Sequence, residues 1–396
     1  MPQPTPFHSR TSKLCKSHEW RNWSGYLAVS SYEMSHEYEY YAIRNSAALI
    51  DVTPLFKYEI TGPDAARLVD RIITRDVTKC KVGQVLYTCW CDEAGKMIDD
   101  GTVQRFAEDH FRITAADPSL RWFQDCGFGM DVEVVNISEK LGALALQGPN
   151  SREILKQVVA GADLDSLRFF RLTGAEIDGL PVTITRTGYT GDLGYELWVD
   201  PKYAERLWDV LMEAGRGYGI APSGMVALDI ARIEAGLLLI EVDYISSQKA
   251  LIEARKSSPF EAGLGWTVKL EADDFVGRRA LLAEKERGSK WRFVGFEVNW
   301  LDLEKLFAEV DLPPLVAGRA SRLAVPVYKH GKQIGQATSS TFSPILKKFI
   351  ALGTILTPYA EMGGKVDIEI TVEFSRKRAQ ATIVPTPFFN PDRKRA

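Results

Sequence analysis

The sequence predicts an α+β protein made of two related α+β subdomains followed by a smaller β-barrel-like domain. Two observations carry this. A strand–Gly-Pro–helix unit occurs twice, about 85 residues apart, and a recurring supersecondary unit points to related subdomains. After Ser289 the pattern changes to short β-like runs separated by polar or Gly-rich turns, the spacing of a barrel or sandwich. At 396 residues the chain has room for two or three domains. We divide it into a polar N-terminal extension (1–45), the two α+β subdomains (46–288) and the C-terminal β domain (289–396).

The first unit runs from Tyr58-Glu59-Ile60-Thr61 into the Gly62-Pro63 turn. Over 64–75, Ala65, Leu68, Val69, Ile72 and Ile73 recur at helical spacing, and Pro63 suits a first-turn position. The second runs from Ala143-Leu144-Ala145-Leu146-Gln147 into Gly148-Pro149, and Ile154, Leu155, Val158 and Val159 then share one face of a helix over 150–159. Further helices are predicted over 202–215, with Ala204, Leu207, Trp208 and Leu211 inward, and over about 224–239, with Ala227, Ile230, Ile233 and Leu237. Between 180 and 200 the period becomes two. The runs 182–187 and 195–199 flank a glycine-rich loop and read as a hairpin. In the last domain the predicted strands are 292–298, 324–330, 333–338, 351–356 and 365–374, with 311–314 as an exposed excursion.

Composition narrows the function classes. A formal net charge of -3 gives no strong field for a polyanion, so nucleic acid is not an expected partner. Five cysteines without regular spacing argue against a disulfide framework and for a reducing compartment. Cys89 and Cys91 alternate onto one strand face, but without a second Cys or His pair they do not make a zinc site, so no metal is expected. The polar start of the chain lacks a signal-peptide pattern, and no apolar run approaches roughly 18 residues. These features predict a cytoplasmic protein with no membrane span.

The segment 87–103 is the richest in chemistry. It reads as a strand, a turn at Glu93-Ala94-Gly95 and a returning strand that carries Asp99 and Asp100. Adjacent strand residues point to opposite faces, so one acid can be solvated while the other turns inward and needs a partner or ligand. On the residues alone, a hairpin with two solvent-facing acids is the simpler reading. The loop 187–196 is similar: three glycines serve a tight hairpin, and Glu196 need be no more than an exposed acid.

The order of the segments says more than any one of them. Ile50-Asp51-Val52-Thr53, the 87–103 hairpin, Leu146-Gln147-Gly148-Pro149, the 185–196 loop, Arg232-Ile233-Glu234, and the 259–268, 274–278 and 335–344 segments follow one another as eight blocks. In this order, from about residue 40 to the end, the chain resembles the glycine cleavage T-protein (aminomethyltransferase) superfamily. The resemblance implies a three-domain cloverleaf around a central folate channel, with tetrahydrofolate as co-substrate. It implies a catalytic role for Asp100, with Asp99 as its structural neighbour, and pterin recognition by Glu196, whose carboxylate suits a planar pair of N–H donors. Tyr87, Tyr189 and Trp266 fall to the channel wall by the same match. Arg232 is carried over as a cofactor-binding group that orients an acid of the site or a substrate carboxylate. A buried ion pair with Glu234 or Asp229 is the alternative for it.

The departures from the family pattern concern the donor. Pro54-Leu55 stands where the family carries His-Met, Thr114 where it carries Asn, and Leu228 where it carries Arg, which makes Leu55, Thr114 and Leu228 candidate substrate contacts. Ser31-Tyr32-Glu33 and Glu39-Tyr40-Tyr41 look closer to folate-dependent demethylases such as the dimethylsulfoniopropionate demethylase. The expectation is therefore a demethylase that moves a methyl group from a small methylated donor to N5 of tetrahydrofolate. The alternatives are aminomethyl transfer from a lipoylated carrier protein, and a folate-binding regulatory protein without turnover.

Overall fold

The computed structural model describes residues 1–271, 275–315 and 318–396. Asp274, which opens the 274–278 block, lies outside the described residues. The first unit is a five-stranded sheet in the spatial order Val85–Cys91, Met97–Ala107, His110–Ala115, Phe56–Thr61 and Glu133–Asn136. The helix Ala65–Ile72 covers one face and buries Leu68, Val69 and Ile72 against Tyr58, Ile60, Trp90 and Phe111.

The second unit is a seven-stranded sheet. Its centre is Gly194–Val199, Gly142–Gln147 and Ala47–Asp51, and the hairpin Leu172–Ile177 and Leu180–Thr185 extends one side. The helices Ser151–Val158 and Ala204–Ala214 pack on it through Ile154, Leu155, Leu207, Trp208 and Leu211. Both Gly-Pro corners lie where the sequence places them. Gly62 and Gly148 have φ of +122° and +120°, and a Cβ there would meet the Asp131 carbonyl at 2.8 Å and the Ser46 carbonyl at 2.7 Å. Only glycine allows this conformation at so close an approach.

The C-terminal domain is a closed six-stranded barrel, ordered Trp291–Val298, Lys348–Leu356, Lys332–Ser343, Val325–Lys329, Lys365–Val372 and Ser375–Val384. Five strands match predicted runs. The sixth, Ser375–Val384, extends past the predicted series. Between the first two predicted runs lies an unpredicted helix, Trp300–Ala308, whose N-cap Asn299 accepts hydrogen bonds from the N–H groups of Leu301 and Asp302.

Residues 1–45 form two helices and the hairpin Glu19–Trp23 and Tyr26–Ser31, and Phe7, Tyr40 and Arg44 are buried against the rest of the molecule. The helix predicted over 224–239 is shorter, Met225–Glu234. Gly236, at φ +65°, ends it, and the chain turns into the 237–247 loop. Among the described residues no helix is long and apolar enough to cross a membrane.

Candidate functional site

Strand pairing sets Asp99 opposite Trp90 and Asp100 opposite Cys89, and the alternation then separates the two acids. Asp99 is fully buried. It accepts the backbone N–H of Asp100 at 2.8 Å, Ala116 at 3.0 Å and Asp117 at 2.9 Å. Burial, and then the charge of Asp100, hold its carboxyl well above the usual carboxylate range. With three main-chain donors around it, Asp99 shapes the strand ends.

Asp100 is half-buried and faces side chains instead. Its Oδ2 accepts the Tyr87 hydroxyl at 2.6 Å, and its Oδ1 accepts the Tyr244 hydroxyl. Burial raises its pKa, the two hydroxyls oppose that rise, and the charge of Asp243 adds to it. Tyr87 and Tyr244 are themselves pushed well above the ordinary tyrosine value, by burial first and by Asp100 next. Both phenols therefore stay protonated and donate, so the carboxylate between them is an acceptor held in one orientation.

The Tyr87 ring stacks on Trp266 at 6.1 Å between centroids and 26° between planes. Trp266 is 56% exposed, so the stack leads from Asp100 to the surface. Tyr189 is half-buried, donates to the Leu238 carbonyl, and feels the charges of Arg232 and Asp100. Glu196 stands on the other sheet, half-buried. Its Oε2 accepts the Thr187 hydroxyl at 2.6 Å and the Thr185 hydroxyl at 3.4 Å, and burial raises its pKa against those bonds. A carboxylate anchored through one oxygen keeps an edge for a planar donor pair, which suits a pterin.

Arg232 is the centre of a buried ion-pair cluster. It is wholly buried, with Nη1 donating to Asp243 at 2.5 Å and Nη2 to the Ser339 hydroxyl at 2.8 Å, and Asp229 lies 3.7 Å from Nε. A guanidinium enclosed in this way holds the 237–247 loop to the barrel and orients Asp243. Of its two expected partners Asp229 is a distant one, while Glu234 pairs with Arg44 at 2.6 Å. Leu228 turns inward: it is 5% exposed in the apolar cluster with Trp198 and Ile230, against which Tyr189 also packs. Thr114 is buried with its hydroxyl 2.7 Å from that of Thr102. Leu55 is half-buried, and its carbonyl accepts the Lys57 ammonium at 2.7 Å.

The structure thus joins Asp100, Tyr87 and Trp266 by direct contact and sets Tyr189 within electrostatic reach, with Glu196 on the neighbouring sheet. The sequence reading missed Tyr244. It lies in an aperiodic loop, and nothing local marks its reach to Asp100. A cleft of about 1210 Å³ runs between the helices Ala65–Ile72 and Arg278–Arg287 and includes none of these residues. Its lining, with Arg67, Arg71, Glu93 and Glu108, lies apart from Asp100 and Glu196.

Comparison with known proteins agrees with the fold. A family model described as the GCVT N-terminal domain matches residues 7–272, and one described as the glycine cleavage T-protein C-terminal barrel domain matches residues 315–390. The chain is 36% identical, over its whole length, to a trimethylamine-oxide aldolase of Ruegeria pomeroyi, and it spans 48% of that relative. It is 35% identical to an aminomethyltransferase of Halothermothrix orenii, over 93% of this chain and 95% of that one. Its fold matches the crystal structure of glycine cleavage system aminomethyltransferase T from Bartonella henselae with a TM-score of 0.83 at 23% identity, covering 98% of this chain and 99% of that one. The chain therefore belongs to the glycine cleavage T-protein family, the tetrahydrofolate-dependent one-carbon transferases whose sequence blocks it carries.

Proposed function

We propose that this protein takes a methyl group from a small methylated donor and passes it to N5 of tetrahydrofolate. The observation that supports it best is the carboxylate of Asp100 fixed between two phenol donors, Tyr87 and Tyr244. The folate supplies the nucleophile, the lone pair on N5. The methyl group forms its new bond to N5 while its bond to the donor heteroatom breaks, and that electron pair leaves with the demethylated donor. The N5 proton passes to Asp100 and from there to solvent. Burial raises the proton affinity of Asp100, which suits a group that must accept a proton near neutral pH. Glu196 holds the pterin edge, and Tyr87, Tyr189 and Trp266 align its flat face, so most of the rate enhancement comes from positioning and fixed charge.

A small donor is favoured over a lipoyl arm by the loss of the arginine that the family carries where this chain has Leu228, which leaves no charge there for a carrier-bound group. One relative, the trimethylamine-oxide aldolase, is also named for a small methylated compound. The curated aminomethyltransferases favour the second reading, aminomethyl transfer from a lipoylated carrier. Incubation with tetrahydrofolate and a panel of sulfonium, quaternary amine and methoxy donors, with a lipoylated carrier in a parallel arm, separates the two. Methyl-tetrahydrofolate and methylene-tetrahydrofolate differ in mass by two hydrogens. Methylene product and ammonia from the carrier arm alone would overturn the demethylase reading. Tight folate binding without turnover in any arm would leave a folate-binding protein that is not an enzyme.

A further inference from the structure

A line of contacts runs outward from the reacting carboxylate. Asp100 holds the Tyr87 hydroxyl, Tyr87 stacks on the half-exposed Trp266, and the Arg75 guanidinium carbon sits 5.6 Å over the Trp266 ring. Arg75 is half-buried, yet its one hydrogen bond goes to the Tyr87 carbonyl at a long 3.4 Å. Among the described residues no carboxylate pairs with it. The adjacent Asp76 is engaged by Lys79 at 2.8 Å and by the Thr78 hydroxyl. By contrast, the buried guanidiniums of Arg44, Arg112 and Arg232 each meet a carboxylate within the chain. Burial also weakens the hold of Arg75 on its proton, with no acid beside it to offset this. A cation in that position is poised for an external anion, and a guanidinium fork matches a carboxylate with two parallel bonds.

We propose that Arg75 receives the glutamyl carboxylate of tetrahydrofolate, with Trp266 as the platform for the aromatic ring between pterin and glutamate. This rests on the folate reading of the site. A pterin reacting at Asp100 directs the rest of the molecule along the Tyr87–Trp266 stack, and its charged tail then emerges beside Arg75. Trp266 is thereby held between a ligand ring and a cation, which favours both contacts. The enzyme reads the tail of the folate as well as its head.

The test is equilibrium dialysis of the full chain with tetrahydrofolate and with tetrahydropteroate, which lacks only the glutamate. The wild-type protein is expected to bind tetrahydrofolate at least about tenfold more tightly, the scale of one charge-assisted bidentate contact. Arg75→Gln should abolish the preference for tetrahydrofolate and keep tetrahydropteroate binding within about fivefold of wild type, since only the cation over the Trp266 ring is lost, which also reports an intact pterin site. Arg75→Lys should restore part of the difference. Equal wild-type affinities for the two ligands, or an undiminished preference in Arg75→Gln, would overturn the assignment while leaving the folate site in place. Binding of neither ligand to the wild-type protein would overturn the folate reading and this proposal together.

Discussion

Two neighbouring carboxylates do different work because of where their lone pairs go. Asp99 accepts three backbone N–H groups. In Asp99→Asn the single amide oxygen cannot replace both carboxylate oxygens, so buried donors are left unpaired, and the substitution should cost about 2–4 kcal/mol in urea unfolding. Asp100→Asn keeps the shape, meets only side-chain hydroxyls, and removes a buried charge. It should retain folate binding, lose turnover by about a hundredfold or more, and leave stability unchanged or higher. Full turnover in Asp100→Asn with the authentic donor would remove Asp100 from its role. The pH dependence has a definite sign. The native pKa of Asp100 lies above its ordinary value of 3.8, so in that window the folded state holds more protons than the unfolded one. Stability from this group falls as pH rises through the window, and Asp100→Asn should remove that slope. Turnover should fall as pH drops through the raised value, because a protonated Asp100 cannot accept a proton. Lys57 runs the other way. Its buried ammonium donates to the Thr53 and Leu55 carbonyls, and burial, opposed by Asp51, lowers its pKa from 10.5 to about 7. The unfolded chain then holds the extra proton between those values, so stability should rise with pH there, by up to about 1.4 kcal/mol per pH unit. Unfolding midpoints of Lys57→Met against wild type from neutral to alkaline pH test this. A parallel pair of curves would show that Lys57 does not titrate in the native state.

At the scale of elements, the sequence was most legible where one residue type answers one geometric demand. The two Gly-Pro corners were visible because a strand period of two gives way at once to a helical period, and the structure adds the reason for glycine: positive φ and a carbonyl in the space of a Cβ. Gly62→Ala and Gly148→Ala should each destabilise by about 1–3 kcal/mol from backbone strain alone, with the close carbonyls adding to it. Thermal unfolding measures this, and an unshifted midpoint for either would contradict the close approach. The sixth barrel strand was harder to read. It begins with Arg376, Lys377 and Arg378 at or near the surface, and only Ala379, Ala381 and Ile383 keep the alternation that faces the core. Small side chains carry little hydrophobic contrast, and the ladder to Lys365–Val372 supplies what propensity does not. The hairpin around Asp99 and Asp100 was legible as a hairpin, but which acid turned inward was not. That depends on register against Val85–Cys91 and on the Ala116 and Asp117 amides, which arrive from a later strand end.

The whole molecule closes on carboxylates that bind distant parts of the chain to one helix. Glu234 accepts from Tyr40, Arg44 and the barrel residue Ser343. Asp243 accepts from Arg232 and the Leu239 N–H through Oδ2, and from the barrel residues Thr338 and Ser339 through Oδ1. The Arg232-Ile233-Glu234 and 335–344 blocks, visible in the sequence as separate motifs, are thus two halves of one contact. Their partners could not be read from spacing because most lie on other parts of the chain. Asp243 is followed by Tyr244, whose hydroxyl reaches Asp100, so the barrel holds a donor of the reacting carboxylate through one peptide unit. Asp243→Asn leaves the buried Arg232 cation without its main counter-charge and should cost about 3–5 kcal/mol. It should also change the acid limb of the turnover profile in two opposed ways, because the Asp243 charge that raises the pKa of Asp100 is lost while a displaced Tyr244 no longer lowers it. Tyr244→Phe is the control. It removes the hydroxyl but keeps the anchor, so it should raise the apparent pKa of that limb and change stability by no more than about 1 kcal/mol. If Asp243→Asn, compared at a temperature where it remains folded, lowers the apparent pKa of the acid limb as loss of the Asp243 charge alone would, while Tyr244→Phe raises it, then Tyr244 is placed by its own loop and the barrel plays no part in positioning it.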